Sequence, residues 1–167
     1  MSEEIIIVDK NDEVIGYKLR QDIKPSDIYR VSALWLTNSL GEVLLAQRAL
    51  DKQFHPGKWG PAVAGTVAKG ETYQANIIKE AFEEIGLKNI TFTEGPKKFN
   101  DNSQGHFISH FTQWYLITID QTVQDFIVEP KEVIAICWFS KAEIAQKLAK
   151  EPDFFIPNMP YYFQLFK

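Results

Sequence analysis

A chain of 167 residues that is 45% hydrophobic and 13% aromatic is large and apolar enough for one packed domain, and its composition argues against disorder. The formal charge of -4, from 18 basic and 22 acidic residues, gives no bulk attraction to nucleic-acid polymers or anionic lipid. One cysteine, Cys137, excludes an intrachain disulfide; within VIAICWF it reads as a buried thiol. The N-terminal MSEEIIIVDKNDE lacks a basic leader and no apolar run reaches 18 residues, so a cytoplasmic location and no membrane association are expected.

EIIIVD and EVIGYKL flank KND and read as a short hairpin, followed by an IKPSD turn. Residues 1–27 are therefore expected to form an N-terminal hairpin extension of a single domain spanning 1–167. YRVSALWLTN and EVLLAQRA read as a longer hairpin about Ser39–Gly41. DKQFHPGKWGP is an irregular loop, and VAGTV a short apolar run. The strongest helix signal covers Thr72–Ile85, with Thr72 as its cap and Gly86 as its left-handed stop. Ala75, Ile78, Ala81, Phe82 and Ile85 read as its apolar face. FISHFTQWYLITI and VIAICWF read as strands. Ser140 and Glu143 form a capping box for a helix near Lys141–Lys150. The aromatic, proline-broken tail EPDFFIPNMPYYFQLFK packs over the domain edge and suits either a pocket wall or a homodimer edge. Strands on both sides of a helix imply a mixed α/β sandwich.

The helix carries an unusual charge pattern. Glu80, Glu83 and Glu84 share one face at 3.6 residues per turn, where like charges repel. A hard divalent cation such as Mg²⁺ or Mn²⁺ relieves that repulsion, although a solvated acidic face would present the same spacing. Arg48, Arg30, Lys58 and Lys52 are candidate ligands for an anionic substrate, with Arg48 favoured at the end of a strand beside the glutamates. Trp59 and Phe54 could stack on a planar group or act as core lids. Glu129 and Glu132, in VEPKEV, read by themselves as an acidic turn before the strand VIAICWF. His55, His106 and His110 do not form a helical zinc motif. His106 and His110 share a strand face from which they could contact phosphate.

Gly65 to Leu87 resembles the Nudix box, G-x5-E-x7-R-E-U-x-E-E-x-G-U. Gly65, Glu71, Glu80, Ala81, Glu83, Glu84, Gly86 and Leu87 fit it; Lys79 stands at the arginine position. The resemblance implies an α/β; Nudix-like α/β/α sandwich with a central mixed sheet. It implies a metal-dependent hydrolase of a diphosphate linkage in a nucleoside diphosphate derivative or related diphosphate. Glu80, Glu83, Glu84 and the Gly65 carbonyl would hold the metal, Glu71 would support them, and Glu132 or else Glu129, outside the box, would serve as general base or as a further metal ligand. Lysine cannot reproduce arginine's planar fork, but Lys79 can steady Glu71 or Glu83. The flanking sequence is also similar to isopentenyl-diphosphate isomerases, members of the same superfamily. In the stretch beginning at Trp59, Ala64 takes the place of their catalytic cysteine and Thr66 that of their histidine. The strand that supplies their glutamate pair has Ser109 and His110 and no carboxylate here. A diphosphatase reading therefore leads, with isomerase-like enzyme and non-catalytic nucleotide-binding module as alternatives.

Overall fold

The computed structural model describes residues 3–101 and 108–167. Among the described residues nine strands form one hydrogen-bonded sheet: β1 (Glu4–Val8), β2 (Val14–Leu19), β3 (Ile28–Thr37), β4 (Val43–Arg48), β5 (Trp59–Pro61), β6 (Val63–Thr66), β7 (Thr93–Asn100), β8 (Ser109–Thr118) and β9 (Val133–Phe139). Three α-helices among the same residues accompany them: α1 (Tyr73–Ile85), α2 (Lys141–Lys150) and α3 (Met159–Leu165).

β3 is the axis. It runs parallel to β8 from Ile28↔Ser109 to Thr37↔Thr118. Along its other edge it meets β1 at residues 28–29, β6 at 31–34 and β4 at Thr37 alone. The expected β3–β4 hairpin therefore exists only at its turn. Beyond Val43 the strands part, and β4 pairs with β9 and β5 instead. The early split lets β6 enter beside β3 and carry Gly65 under α1. β7, which the chain-order reading missed, pairs with β8 across a register shift between Glu94 and Lys97; Pro96 breaks its apolar pattern.

Alternation along β3 divides the interior in two. Leu34 and Leu36 pack with Val63, Ile77, Ala81, Ile85, Tyr115 and Ile117 under α1. Ala33 and Trp35 pack with Trp114, Phe139, Ile144, Phe155, Met159 and Tyr162 under α2, α3 and the tail. The tail is thus part of a core, anchored by Phe155 and Met159, which are 1% and 0% exposed. Such side chains contribute about 1.5–3 kcal/mol each when fully buried.

α1 begins and ends where its caps predict. Thr72 Oγ1 accepts from Ala75 N at 3.0 Å, and Gly86 adopts φ 74°. Its buried face differs from the expectation: Ile77, Ala81 and Ile85 are at 0% exposure, whereas Ile78 and Phe82 are 44% and 51% exposed. Residues 77, 81 and 84 lie within about 60° of helix rotation. Turning Ile78 and Phe82 inward would swing Glu84 out; the helix instead lays Glu80 and Glu84 against the sheet. The Lys88 ammonium covers Phe82, 5.1 Å from its ring centre. Cys137 also corrects its reading, because it lies on an outward position of β9 and is exposed.

Candidate active site

The site starts at the turn between β6 and α1. Gly65, on β6, leaves the space that Glu80 occupies: a Cβ there would overlap Glu80 Cγ and Cδ and force that side chain aside. Glu84, one turn on, accepts from Ala64 N at 3.2 Å. Both carboxylates are half-buried against the edge of β6. Burial, and next the charge of Glu80, pushes the Glu84 carboxyl up to about 8. Burial likewise raises Glu80, with Lys79 opposing it. Glu83 lies on the outer margin of this face and is exposed.

Glu71 has the opposite environment. It accepts from Lys79 Nζ at 2.8 Å, Asn76 Nδ2 at 2.8 Å and Ala68 N at 3.0 Å. Burial raises its carboxyl, but these donors together hold it below the usual range. Lys79 also reaches Glu80 at 3.4 Å and Glu3 at 3.6 Å. It therefore holds Glu71, one of its two expected partners, and makes no ion pair with Glu83 among the described residues.

Asn76 is the residue that sequence reasoning missed. It is fully buried and donates through Nδ2 to Thr66 O at 3.1 Å, Glu71 Oε2 at 2.8 Å and Glu80 Oε1 at 3.3 Å. Its Oδ1 accepts from Ser32 Oγ. One amide thus joins β3, β6, the loop glutamate and the helix glutamate. The available signal was an asparagine four residues before Glu80, beside an apolar stripe it could not fill.

The segment before β9 closes the far end. Ile127 N and Glu129 N donate to Ile85 O and Glu84 O at 3.1 and 3.0 Å, satisfying carbonyls that a helix end leaves open. Glu132 follows, ion-paired with Lys52, and its charge acts on both Glu84 and Arg48. Glu129 contributes its backbone to α1, and its carboxylate accepts from Lys131 N at 3.2 Å. Burial lowers Arg48, while Glu84 and Glu132 oppose that shift; its Nε donates to Phe54 O at 2.9 Å.

Arg48 also lines a cavity of about 240 Å³ on the tail face of the sheet, with Tyr29, His55, His110, Asn158 and Tyr162 among its walls. The other expected substrate ligands have different partners. Arg30 pairs with Asp12 at 2.7 Å, on the α1 side of β3. Lys58 donates to Asp153 O at 2.9 Å. Trp59 stacks on Phe154, centroids 5.7 Å apart, and meets Phe139 edge-on, so it acts as a core lid. His106 lies outside the described residues. Ala64 and Thr66 share the face of β6 opposite Gly65, and their register partners on β3 are Ala33 and Val31.

Comparison with family models matches the NUDIX domain to residues 28–159. The chain belongs to the Nudix family. An uncharacterised Nudix hydrolase of Yersinia pestis is 27% identical over 87% of this chain and 77% of its own. An isopentenyl-diphosphate Delta-isomerase of Streptomyces griseus is 30% identical over 87% of this chain and 75% of its own. The crystal structure of DR0079 from Deinococcus radiodurans superposes with TM-score 0.81 at 24% identity, covering 97% of this chain and 98% of that one. The Nudix fold is thus the mixed-sheet sandwich described above, and the protein is an enzyme of the general Nudix type. Among the described residues no three His, Cys, Asp or Glu side chains are gathered into a ready metal cage, and no helix is long and apolar enough to cross a membrane.

The Nudix site nevertheless fits a divalent cation. Glu80 and Glu84 are hard oxygen donors crowded into a half-buried seam. Among the described residues Glu84 has no ion pair within 4 Å, only the Ala64 N–H. Glu80 is only partly neutralised by Lys79, and Glu84 beside it has no ion-pair partner among those residues, a combination that suits a small, oxygen-seeking cation.

Proposed function

We propose that the protein hydrolyses a diphosphate linkage in a nucleoside diphosphate derivative or a related small diphosphate, with Mg²⁺ or Mn²⁺. The observation that carries this reading is Glu84 beside Glu80 at the β6 edge, with no ion pair of its own within 4 Å among the described residues and with the charges of Glu80, Glu132 and Arg48 acting on it. Glu80, Glu84 and the Gly65 carbonyl would hold the cation, with Glu83 joining from the margin of α1. When bound, the cation would screen diphosphate oxygens and acidify a water.

The chain's own residues supply the remainder. Lys79 and Asn76 restrain Glu71 and Glu80, so the acidic face is ordered before substrate arrives. Arg48, partly desolvated between two carboxylates and the cavity, would bind a phosphate oxygen and direct the organic group into the cavity. Glu132 would accept the proton of the attacking water, its carboxylate tethered by Lys52. A panel of nucleoside diphosphates, their sugar conjugates and prenyl diphosphates, incubated with Mg²⁺, tests the reading by phosphate release and mass spectrometry. Cleavage of at least one diphosphate, abolished by chelator, is expected; no cleavage across the panel overturns it.

A second reading, isomerase chemistry, is favoured by the relatives named as isopentenyl-diphosphate isomerases. Ala64 weighs against it, because a methyl group offers no proton at the position where those enzymes have a thiol. Isotope exchange into isopentenyl diphosphate separates the two. No exchange above a boiled control is expected, and clear exchange reverses the ranking.

A further inference from the structure

The N-terminal hairpin lies before the family-matched segment, yet it is fastened to the turn that bears Glu71. β1 continues the edge that β6 leaves at Thr66. Ile6 N donates to Val67 O at 3.3 Å, Lys69 N to Glu4 O at 2.9 Å, and Ile5 bridges Ala68. On the other side, Val67 N donates to Arg30 O at 2.9 Å. Residues 67–69 are therefore held between β1 and β3. Ala68 passes that placement on: its N–H binds Glu71 Oε2, and its carbonyl accepts from Glu71 N at 3.0 Å. Glu71 in turn holds Lys79 and Asn76, and both reach Glu80.

Both ends of the hairpin are pinned. At the open end Glu4 pairs with Lys69 at 2.7 Å, and Glu3 approaches Lys79 at 3.6 Å. At the turn, Asp12 has φ 64° and a side chain only 6% exposed. Its carboxylate takes Arg30 Nε at 2.7 Å from β3, Lys97 Nζ at 2.6 Å from β7 and Tyr73 Oη at 3.0 Å from the first residue of α1. The Arg30 guanidinium also lies 5.1 Å from the Tyr73 ring centre. One acid therefore ties the hairpin to two strands and to the start of the helix that carries Glu80 and Glu84.

We infer that residues 3–27 are a working part of the active site, and that Asp12 is a positioning residue which sets the helix start and the 67–71 turn. Neither Asp12 nor the hairpin touches substrate. Both act through Tyr73, Ala68 and Glu71 on the Glu80–Glu84 pair. The inference rests on that pair being the metal-binding one; if it is not, the hairpin would still brace the turn but would not tune metal binding.

The test uses the full chain with Asp12→Asn and, separately, Tyr73→Phe. Asparagine tolerates positive φ at least as well as aspartate, so the turn itself is not strained while the charge is lost. Tyr73→Phe removes one donor and leaves the ion pairs. Three readouts are taken well below each variant's melting temperature. Hydrogen exchange at amides 67–71 should quicken at least threefold in Asp12→Asn. The Mn²⁺ concentration for half-saturation, measured by calorimetry with the metal alone, should rise three- to tenfold. With any substrate the panel yields, kcat should fall about tenfold while KM stays within twofold. Tyr73→Phe should shift each in the same direction by less. A lowered melting temperature with unchanged exchange, metal affinity and kcat would make Asp12 a stability residue only and overturn the inference. A panel without activity would sink the hydrolase reading but leave the exchange and metal readouts to decide this one. Faster exchange with unchanged metal affinity would refute the link to Glu80 and Glu84.

Discussion

Two carboxylate sites lie on the α1 side of the sheet, one buried and one half-buried, and they are opposites. Asp12 is saturated by Arg30, Lys97 and Tyr73, which outweigh burial and hold its carboxyl below the usual range. Glu84 has one backbone N–H and a second glutamate beside it, and its carboxyl is pushed up to about 8. The first pattern is what folding alone would favour, since each charge has partners. The second is electrostatically unfinished, and no stability argument accounts for two acids kept together in a seam. The contrast separates a structural lock from the site proposed to take a cation.

The largest effect should come from removing the unfinished acid. Glu84→Gln should lower turnover by at least about 100-fold, the scale on which losses around metal ligands register. In chelator it should leave the fold equally or more stable, because it deletes the repulsion with Glu80. Steady-state kinetics and thermal melts check both halves; a variant that loses stability in chelator and keeps its turnover would break the contrast.

Metal and pH should act on the wild type in a related way. A carboxyl whose folded pKa is raised favours the protonated folded state. Its contribution therefore declines as pH rises from the unfolded value of 4.5 toward about 8. Between pH 5 and 8 the chelated wild type should lose melting temperature relative to Glu84→Gln. Saturating Mg²⁺ should raise the wild-type melting temperature, more at pH 8 than at pH 5. A metal-induced shift independent of pH would show that Glu84 is not the group neutralised.

The saturated acid should show the reverse dependence. The folded pKa of Asp12 lies below its unfolded 3.8, so its contribution is full above that value and is lost as pH falls through the lower folded one. Asp12→Asn should cost roughly 1.5–3 kcal/mol at neutral pH, the range for hydrogen bonds to a charged group. The deficit should begin to shrink as pH falls below the unfolded 3.8, where the unfolded chain takes up a proton that folded Asp12 still resists. Urea melts at pH 7 and pH 3 measure this directly.

Two substitutions should do least. Lys79→Arg should keep the fold and leave kcat/KM equal or higher, because helix propensities match and a fork can hold Glu71 in fewer orientations. A large loss would mean that the lysine's shared contacts with Glu71, Glu80 and Glu3 are tuned as they stand. Cys137→Ser should leave turnover unchanged, since the thiol is exposed on β9 and the charges that act on it are Glu143 and Glu42, not the α1 acids; loss of activity would point to a thiol step.

Much of the site was legible because it is local. Thr72 and Gly86 cap α1 through atoms within a few residues of themselves, and the spacing of Glu80 and Glu84 is a property of any helix. The face on which they lie was less legible. The helix is rotated by its sheet partners, so Ile77 is buried and Ile78 is not. Arg30 and Arg48 are similar strand arginines in the sequence. One is neutralised by a turn 18 residues away, whereas the other borders both the acids and the cavity.

The amino-acid sequence by itself determined the capped acidic helix, the glycine before it and the family they mark, because each depends on backbone preferences and short spacings. Only the tertiary structure decided that β3 and β4 part after one pair, that Asn76 joins four groups and that Cys137 faces outward. It also decided that the N-terminal hairpin is hydrogen-bonded to the turn at residues 67–69. Those outcomes depend on which distant strand supplies the missing hydrogen bonds and which distant charge enters a buried seam, and no local pattern encodes either.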